Sequence, residues 1–293
     1  MGALDGRIAV ITGAGRGIGR EHALLFAAEG ALVVVNDPGG SVDGSDAGEG
    51  SPAHEVVAEI VAAGGRAVAN VDDVSDWEGG RRLVGTAIEH FGGLDVLVNN
   101  AGILRDRMLV TMSEEEWDSV IRVHLKGHFV ALRHAAAYWR ERAKAGASVR
   151  ASVVNTSSTS GLFGNPGQTN YGAAKAGIAA LTTIAADELS RYGVRVNAIA
   201  PAARTRMTEQ TPGLSEIVRP PTDAGAFDDW DPANVSPLVG YLATEGAMES
   251  GRVYFVQGGQ IRLFEPWSMA GTLEKDGRWT IAELQAKMPG LVP

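Results

Sequence analysis

Tyr171 and Lys175 stand four residues apart in the segment Tyr-Gly-Ala-Ala-Lys. If this segment is helical, the spacing places a phenol and an ammonium group on one face. A phenol titrates at about pH 10 and is a poor base at neutral pH, but a cation fixed beside it favours the phenolate and lowers its pKa. We predict that Tyr171 exchanges a proton with an alcohol while a hydride leaves or joins the carbon.

Ser158 lies thirteen residues before Tyr171 and follows a predicted strand at residues 152–155. Its hydroxyl is predicted to polarise a substrate carbonyl oxygen beside the phenol. Ser157 and Ser160 are alternatives for this role. The Ser-rich run is also typical of a loop that is held by its own hydrogen bonds.

A glycine-rich turn, Thr-Gly-Ala-Gly-Arg-Gly-Ile-Gly at 12–19, lies between the first predicted strand and the first predicted helix. Such a turn brings backbone N–H groups against a pyrophosphate, and the helix N-terminus adds positive potential. The residues predicted to contact a dinucleotide here are Gly13, Arg16, Gly17, Ile18 and Gly19. The spacing differs from the commoner G-x-G-x-x-G, so a purely structural turn is the alternative interpretation.

Asp37 directly follows the second predicted strand, eighteen residues after Gly19. A carboxylate in this place accepts hydrogen bonds from the ribose hydroxyls of adenosine, and its charge repels a 2′-phosphate. We therefore predict NAD as the cofactor in preference to NADP, although Arg16 offers a charge that could bind a phosphate. The alternative is that Asp37 only shapes a turn.

Two more predicted strands end in residues that would face the same crevice. The contacts predicted there are Asp73, Val74, Asn100, Ala101 and Gly102. Asp73 could accept a hydrogen bond from an adenine amino group, while Asn100 and Gly102 would let the backbone approach the cofactor closely. Taken singly, each is also compatible with an ordinary loop cap.

The elements that must position these residues alternate between apolar β-branched runs and segments with helical spacing. The predicted strands are residues 7–11, 31–35, 67–71, 94–98, 152–155, 194–199 and 253–256. The predicted helices are residues 20–30, 53–63, 76–91, 114–145 and 171–192. This alternation predicts an α/β fold with a doubly wound, Rossmann-type, mostly parallel sheet. Ligands of such sheets bind at the carboxyl ends of the strands.

Three stretches interrupt this alternation. Residues 38–52 are rich in Gly, Ser and Asp, which predicts an irregular loop that either covers a cofactor or is a solvated surface excursion. Residues 202–235 contain several prolines and an acidic patch, and we expect a mobile substrate lid there. We predict a single domain over residues 1–262 and an extension over 263–293 that packs on this domain or on a neighbouring subunit.

Composition excludes several classes of function. A formal net charge of -9 argues against a nucleic-acid partner, and the absence of cysteine excludes disulfides and thiolate metal sites. No apolar run is long enough to span a bilayer and no apolar leader is evident, so we expect a cytoplasmic protein without membrane association. The histidines show no ligand spacing with carboxylates, and hydride transfer needs no metal. We therefore predict no metal site.

The chain resembles the short-chain dehydrogenase/reductase family over about residues 5–260. The resemblance rests on Thr-Gly-x-x-x-Gly-x-Gly, the acid after the second strand, Asn-Asn-Ala-Gly, and the Ser158, Tyr171 and Lys175 set, which occur in the family's order and spacing. It implies that Tyr171 is the general acid and base and that Ser158 orients the substrate. It also implies that Lys175 binds the nicotinamide ribose while tuning Tyr171.

The sequence departs from the family pattern at two places. Pro201 and Thr205 resemble the segment that contacts the nicotinamide carboxamide, but Ala202 replaces the family's glycine and the spacing to Thr205 is one residue short. His124 stands where most members carry a catalytic asparagine. It either holds the water through which Lys175 exchanges protons, as a fourth catalytic residue, or is a satisfied helix residue.

Val-His-Leu-Lys-Gly at 123–127 and the segment 161–171 resemble one branch of the family, the (3R)-hydroxyacyl-CoA dehydrogenase domain of peroxisomal multifunctional enzyme type 2. This resemblance implies NAD-dependent oxidation of a (3R)-3-hydroxyacyl-CoA to the ketone. The alternatives are a hydroxysteroid or other bulky-alcohol dehydrogenase, and a dinucleotide-binding sensor without turnover. Apolar positions on the two longest predicted helices exceed what one sheet face can cover, so we expect a homodimer or homotetramer.

Overall fold

The computed structural model describes residues 2–44, 51–210, 215–223 and 225–291. Among these residues, eight strands form one sheet in the order β3-β2-β1-β4-β5-β6-β7-β8. The strands are β1 (Ile8–Thr12), β2 (Leu32–Asn36), β3 (Arg66–Asn70), β4 (Val96–Asn99), β5 (Ala151–Thr156), β6 (Val194–Pro201), β7 (Val253–Gln257) and β8 (Gln260–Leu263). Strands β1 to β7 are parallel, and β8 pairs antiparallel with β7.

The helices pack on the two faces of this sheet. Within the described residues they are α1 (Gly17–Ala28), α2 (Pro52–Ala62), α3 (Trp77–Phe91), α4 (Glu114–Ile121), α5 (Gly127–Lys144), α6 (Thr159–Phe163), α7 (Thr169–Ser190), α8 (Arg206–Gln210), α9 (Ser236–Ala243) and α10 (Ile281–Lys287).

Side chains of β1 alternate between two apolar cores. Ala9 and Ile11 face the core that also contains Phe26 of α1, whereas Val10 faces the core that contains Trp139 of α5. Because both faces are covered, strands β1, β2, β4, β5 and β6 are largely buried, whereas β3 and β7 are mostly half-buried. The predicted doubly wound parallel sheet is therefore confirmed, and the strand order reverses between β1 and β4, where such folds bind ligands.

The sequence pattern does not predict strand β8. Its four residues are all exposed and include the polar Gln260 and Arg262, so the strand lacks the buried β-branched run by which the other strands are recognised. Pairing with β7 through a tight Gly258-Gly259 turn places it at the edge of the sheet.

The helical stretch predicted over 114–145 contains a turn that its periodicity does not reveal. Helix α4 begins with a capping box formed by Ser113 and Glu116, but residues Arg122–Lys126 form a π-helical turn before α5. A π turn inserts one residue into the helix and is frequent at functional sites. Here it contains His124, which is buried.

The chain divides into two compact units, Met1–Leu263 and Phe264–Pro293. In the second unit, a capping box of Thr280 and Glu283 begins α10, and Lys275 bonds Glu283 at 2.7 Å while lying over the ring of Trp279. How the extension docks remains a prediction from the sequence. None of the described helices is long and apolar enough to cross a membrane.

Candidate active site

A cleft of about 550 Å³ opens at the carboxyl ends of the parallel strands. It brings together fifteen of the seventeen predicted site residues: Gly13, Arg16, Gly17, Ile18, Asp37, Asp73, Val74, Asn100, Ala101, Gly102, His124, Tyr171, Lys175, Pro201 and Thr205. Gly19 and Ser158 do not line it. Residues as far apart in the chain as Gly13 and Thr205 therefore share one crevice.

The glycine-rich turn is packed so closely that a Cβ is excluded at Gly13 and Gly19. A Cβ on Gly13 would lie 2.8 Å from the Cα of Ala101, and a Cβ on Gly19 would lie 2.2 Å from the carbonyl oxygen of Gly13. The side-chain amide of Asn100 donates to that same carbonyl at 3.1 Å. Gly19 and Asn100 thus fix the turn, and the turn leaves its backbone open to the cleft at the start of α1.

Asp37 is held in place by the backbone on either side of it. Its carboxylate accepts hydrogen bonds from the N–H of Gly15 at 3.0 Å and from the N–H of Gly39 at 2.8 Å. Each carboxylate oxygen can accept a further bond. This fixed acceptor beside an open glycine turn fits the ribose and pyrophosphate of a dinucleotide.

Asp73 is engaged by protein groups. It accepts from Ser75 and from the guanidinium of Arg122, the latter at 2.9 Å. Burial opposes its ionisation, but the bonds from Ser75 and the charge of Arg122 lower the pKa of its carboxyl. Asp73 is therefore an anion whose position is set before any ligand enters.

Tyr171 occupies the first turn of α7 and lines the cleft. The ring of His124 packs against it edge to face at 5.1 Å, and the Nζ of Lys175 lies 5.4 Å from the centre of its ring. Burial raises the pKa of Tyr171 to about 12, a hydrogen bond with Ser158 lowers it, and the charge of Asp106 raises it further.

Lys175 is only 2% exposed and donates to the carbonyl oxygen of Thr156 at 2.6 Å. Burial lowers its pKa to about 7. Burial therefore moves the pKa of both groups toward the neutral form. The lowering of the Tyr171 pKa by the charge of Lys175 stays a prediction.

The three candidate serines are separated by their contacts. Ser157 is buried and donates to the carbonyl oxygen of Lys175 at 2.8 Å, so it ties β5 to α7. Ser158 caps α6 by accepting from the N–H of Ser160 at 3.2 Å, and of the three it is the serine whose hydroxyl lowers the pKa of Tyr171. The geometry therefore favours Ser158 as the substrate-orienting hydroxyl.

His124 is 1% exposed, with its Nε2 2.7 Å from the carbonyl oxygen of Ile103 and 3.0 Å from the N–H of the same residue. Gly102 makes room for the ring, because a Cβ there would lie 2.2 Å from its Cε1. Burial and the charge of Lys175 lower the pKa of His124 to about 3, so the imidazole is neutral. Its Nδ1 has no partner among the described residues.

Two further titratable residues, His128 and Asp106, lie near the site without lining the cleft, and the sequence pattern does not predict either. His128 is buried, and its Nε2 accepts weakly from the N–H of Thr156 at 3.4 Å. Its pKa is held well below the usual value by burial and by the charge of Lys175. Only the i, i+4 spacing from His124 indicates in the sequence that His128 lies near the site. No sequence pattern indicates this for Asp106, because the residue that it contacts, Gln168, is distant in the chain.

The predicted lid over 202–235 contributes Ala203, Thr205 and three residues of α8 to the cleft. In its acidic patch, Asp228 forms an ion pair with Arg204 and Asp231 caps a short 3-10 helix. Both acidic side chains therefore stabilise the local fold of this segment. Residues 211–214 and 224 of this lid lie outside the described part of the chain, and the mobility of the lid remains a prediction.

The predicted loop over 38–52 also reaches the cleft through residues between Pro38 and Gly44. The carbonyl oxygen of Val42 accepts from the N–H of Leu104 at 3.0 Å, which joins this loop to the segment after β4. Residues 45–50 lie outside the described part of the chain. Among the described residues, no group of three or more His, Cys, Asp or Glu could hold a metal ion.

A doubly wound sheet with a glycine-rich turn at its reversal point, and a tyrosine and lysine on one helix beside it, define an oxidoreductase of the dinucleotide-binding class. The family model described as short chain dehydrogenase matches residues 7–213, and the chain belongs to this family.

Several known proteins are similar to the whole chain. It is 48% identical over 289 residues to the "Hydroxyacyl-CoA dehydrogenase ChsB1" of Mycobacterium tuberculosis, which covers 97% of this chain and 88% of that one. The solved structure of a short chain dehydrogenase from Mycobacterium avium matches with a TM-score of 0.88 at 53% identity, over 99% of this chain and 96% of that one.

The chain is also 46% identical over 257 residues to the peroxisomal multifunctional enzyme type 2 of Mus musculus. This match covers 88% of the present chain and 32% of the mouse protein. The resemblance to that branch of the family is thereby confirmed.

Proposed function

We propose that this chain oxidises (3R)-3-hydroxyacyl-CoA to the 3-keto thioester with NAD⁺, and catalyses the reverse reduction. The observation that carries the proposal is that Tyr171 and Lys175 line the same cleft as Asp37 and the glycine turn, with Ser158 next to the phenol. A substrate hydroxyl at the phenol and a dinucleotide along the turn would meet at this point.

The residues of the chain handle the proton of this reaction. In the oxidative direction the ionised Tyr171 takes the hydroxyl proton, while the C3–H bond breaks and its electron pair leaves with the hydrogen. The hydroxyl of Ser158 donates to the substrate oxygen and holds it against the phenol. Nicotinamide supplies the hydride acceptor, or the donor in reverse. Lys175 would bond the ribose beside Tyr171, and the open Nδ1 of His124 would hold the water that returns the proton to solvent.

The acyl-CoA part of the proposal is supported by the relatives. The Mycobacterium tuberculosis protein is named a hydroxyacyl-CoA dehydrogenase, and its identity extends over 97% of this chain. The residues that line the cleft do not by themselves distinguish a thioester from another bulky secondary alcohol, so substrate class is the point to test.

An initial-rate screen tests the proposal. (3R)-3-Hydroxyacyl-CoA thioesters of several chain lengths, their (3S) isomers, hydroxysteroids and other bulky alcohols are compared with NAD⁺ and with NADP⁺. The highest kcat/KM is expected for a (3R) thioester with NAD⁺. A higher value for a steroid, or for a (3S) thioester, would make the substrate assignment wrong. Cofactor binding without turnover of any alcohol would instead support the alternative of a dinucleotide-binding sensor.

Asp37 is proposed to select NAD⁺. Asp37→Ala removes an acceptor for two ribose hydroxyls and a charge that repels a 2′-phosphate. Hydrogen bonds to a charged group contribute about 1.5–3 kcal/mol, so KM for NAD⁺ is expected to rise by about tenfold or more while KM for NADP⁺ falls or stays constant. Asp118→Ala, at an exposed position on α4, is the control. An unchanged ratio of the two KM values would contradict the role of Asp37.

We also propose that the chain forms a homodimer or homotetramer, since Phe129 of α5 and Ile184 of α7 are 45% and 57% exposed. Apolar side chains at such positions favour burial against a second subunit. A solution mass equal to the 30.6 kDa of one chain would contradict this. The cytoplasmic location stays a prediction from the sequence.

A further inference from the structure

The beginning of α7 is not capped by the residue that precedes it. The first backbone N–H groups of a helix have no partner within the helix, and the side chain at the N-cap usually accepts from one of them. Gln168 is the N-cap of α7 but makes no such bond. Its amide donates to Asp106 at 2.7 Å, and its side-chain oxygen accepts from Asn165 at 2.9 Å. The N–H of Tyr171, in the first turn, therefore needs another acceptor.

Asn170 provides this acceptor. It is 0% exposed, and its Oδ1 accepts from the N–H of Tyr171 at 2.7 Å. Its Nδ2 donates to the carbonyl oxygen of Arg105 at 2.9 Å and to that of Glu116 at 3.0 Å, so both donors of the amide are used as well. One buried side chain thus joins the backbone of Tyr171 to the segment after β4 and to α4.

The same two elements contact the ring of Tyr171. This ring packs against a buried apolar cluster that contains Ile103, from the segment after β4, and Val120 of α4. Asn170 therefore fixes the backbone of Tyr171 relative to the elements against which its ring packs. A phenol exchanges a proton only with an oxygen at hydrogen-bond distance, and a misplacement of about 1 Å can slow a reaction by about 10²-fold.

We propose that Asn170 is a positioning residue for catalysis, whose buried amide holds Tyr171 where the phenol meets the substrate oxygen. The proposal rests on the function assigned above. Without the amide, the N–H of Tyr171 and two carbonyl oxygens lose a partner in a buried place, which is unfavourable. The first turn of α7 then moves to find other partners, and the phenol moves with it.

A double-mutant cycle tests whether Asn170 acts through Tyr171. Asn170→Ala is made in the wild type and in Tyr171→Phe, and kcat and KM are measured with a (3R)-3-hydroxyacyl-CoA and NAD⁺. Asn170→Ser, which keeps one donor and an acceptor, is the milder variant. Ser152→Ala is the control for the loss of a buried hydrogen bond, because Ser152 is 0% exposed and donates to the carbonyl oxygen of Leu242 at 2.7 Å, at the amino end of β5.

Asn170→Ala is expected to lower kcat by about 10- to 100-fold when Tyr171 is present, and Asn170→Ser by less. In the Tyr171→Phe background, Asn170→Ala should lower kcat by less than about twofold, because the group that it positions is already lost. KM for NAD⁺ should stay within about twofold of the wild-type value, and Ser152→Ala should keep the wild-type kcat. An equal fall of kcat in both backgrounds, or an unchanged kcat in Asn170→Ala, would overturn the proposal.

A second measurement does not depend on turnover. The chain has five tyrosines, so 3-fluorotyrosine labelling gives five fluorine NMR signals, and the signal that Tyr171→Phe removes belongs to Tyr171. In Asn170→Ala this signal is expected to shift or broaden, while Ser152→Ala leaves it unchanged. An unaltered Tyr171 signal in folded Asn170→Ala would contradict the positioning role. An altered signal in a chain whose wild type oxidises no alcohol would support that role and contradict the proposed function instead.

Discussion

Replacing Tyr171 with phenylalanine is expected to lower kcat for alcohol oxidation by about 10²- to 10⁴-fold, the usual contribution of a positioned acid or base. The ring that packs against His124 is retained, so the fold and the cleft should persist. KM for NAD⁺ should change by less than about twofold, because the lost hydroxyl acts on the reacting oxygen and contributes little to ground-state binding.

Tyr192→Phe is the matched control for this experiment. Tyr192 follows the same helix but does not line the cleft, and the variant should keep the kcat of the wild type. If Tyr171→Phe kept its kcat as well, the acid–base assignment would be wrong. A fall in KM and kcat together would point instead to the loss of strain in the bound substrate.

Lys175→Met is expected to change activity and stability in opposite directions. Removing the cation next to Tyr171 should lower kcat by about 10²-fold or more. A methionine fits the volume of the buried lysine without a charge to desolvate. The unfolding free energy near pH 7 should therefore rise by about 1–3 kcal/mol, after allowance for the unpaired carbonyl of Thr156.

The pH dependence of this stability gain has a definite sign. Burial lowers the pKa of Lys175 from 10.5 to about 7, so between these values the unfolded chain binds more protons than the folded one. Wild-type stability therefore increases with pH across that window. The advantage of Lys175→Met should be greatest at pH 7 and below and should vanish above about pH 10.5.

Thermal unfolding of both proteins at several pH values measures this difference. A gain of a few degrees in Tm at pH 7 is expected, since 1 kcal/mol shifts Tm by about 2–4 °C in domains of roughly this size. Lys144→Met, at the exposed end of α5, should leave both activity and Tm unchanged. A lower Tm for Lys175→Met at pH 7 would show that the ammonium group stabilises the fold.

Much of the site follows from the sequence because its residues lie at strand ends. Buried β-branched runs locate the strands, and parallel strands bring their carboxyl ends to one edge of the sheet. Asp37 and Asn100, sixty-three residues apart, could therefore be assigned to one crevice without knowledge of a single contact. The glycines of the turn could also be assigned from the sequence, because a backbone that packs this closely has room only for glycine.

The parts that the sequence does not predict depend on contacts between segments that lack a periodic pattern. The bond between Gln168 and Asp106 joins two loops sixty-two residues apart. The π turn around His124 keeps an ordinary helical pattern in the sequence and shows only in the backbone. The effect of burial on the pKa values of Tyr171 and Lys175 is likewise absent from the sequence, because spacing shows that two groups are close but not how strongly each is desolvated.

Transfer of deuterium tests the central proposal most directly. A (3R)-3-hydroxyacyl-CoA that carries deuterium at C3 is incubated with the enzyme and NAD⁺, and the dinucleotide is isolated and analysed by mass spectrometry. The predicted result is one deuterium on the nicotinamide ring, formed by the wild type and at least about 10²-fold more slowly by Tyr171→Phe. Reduced dinucleotide without deuterium, or no reduction at all, would contradict the proposed reaction.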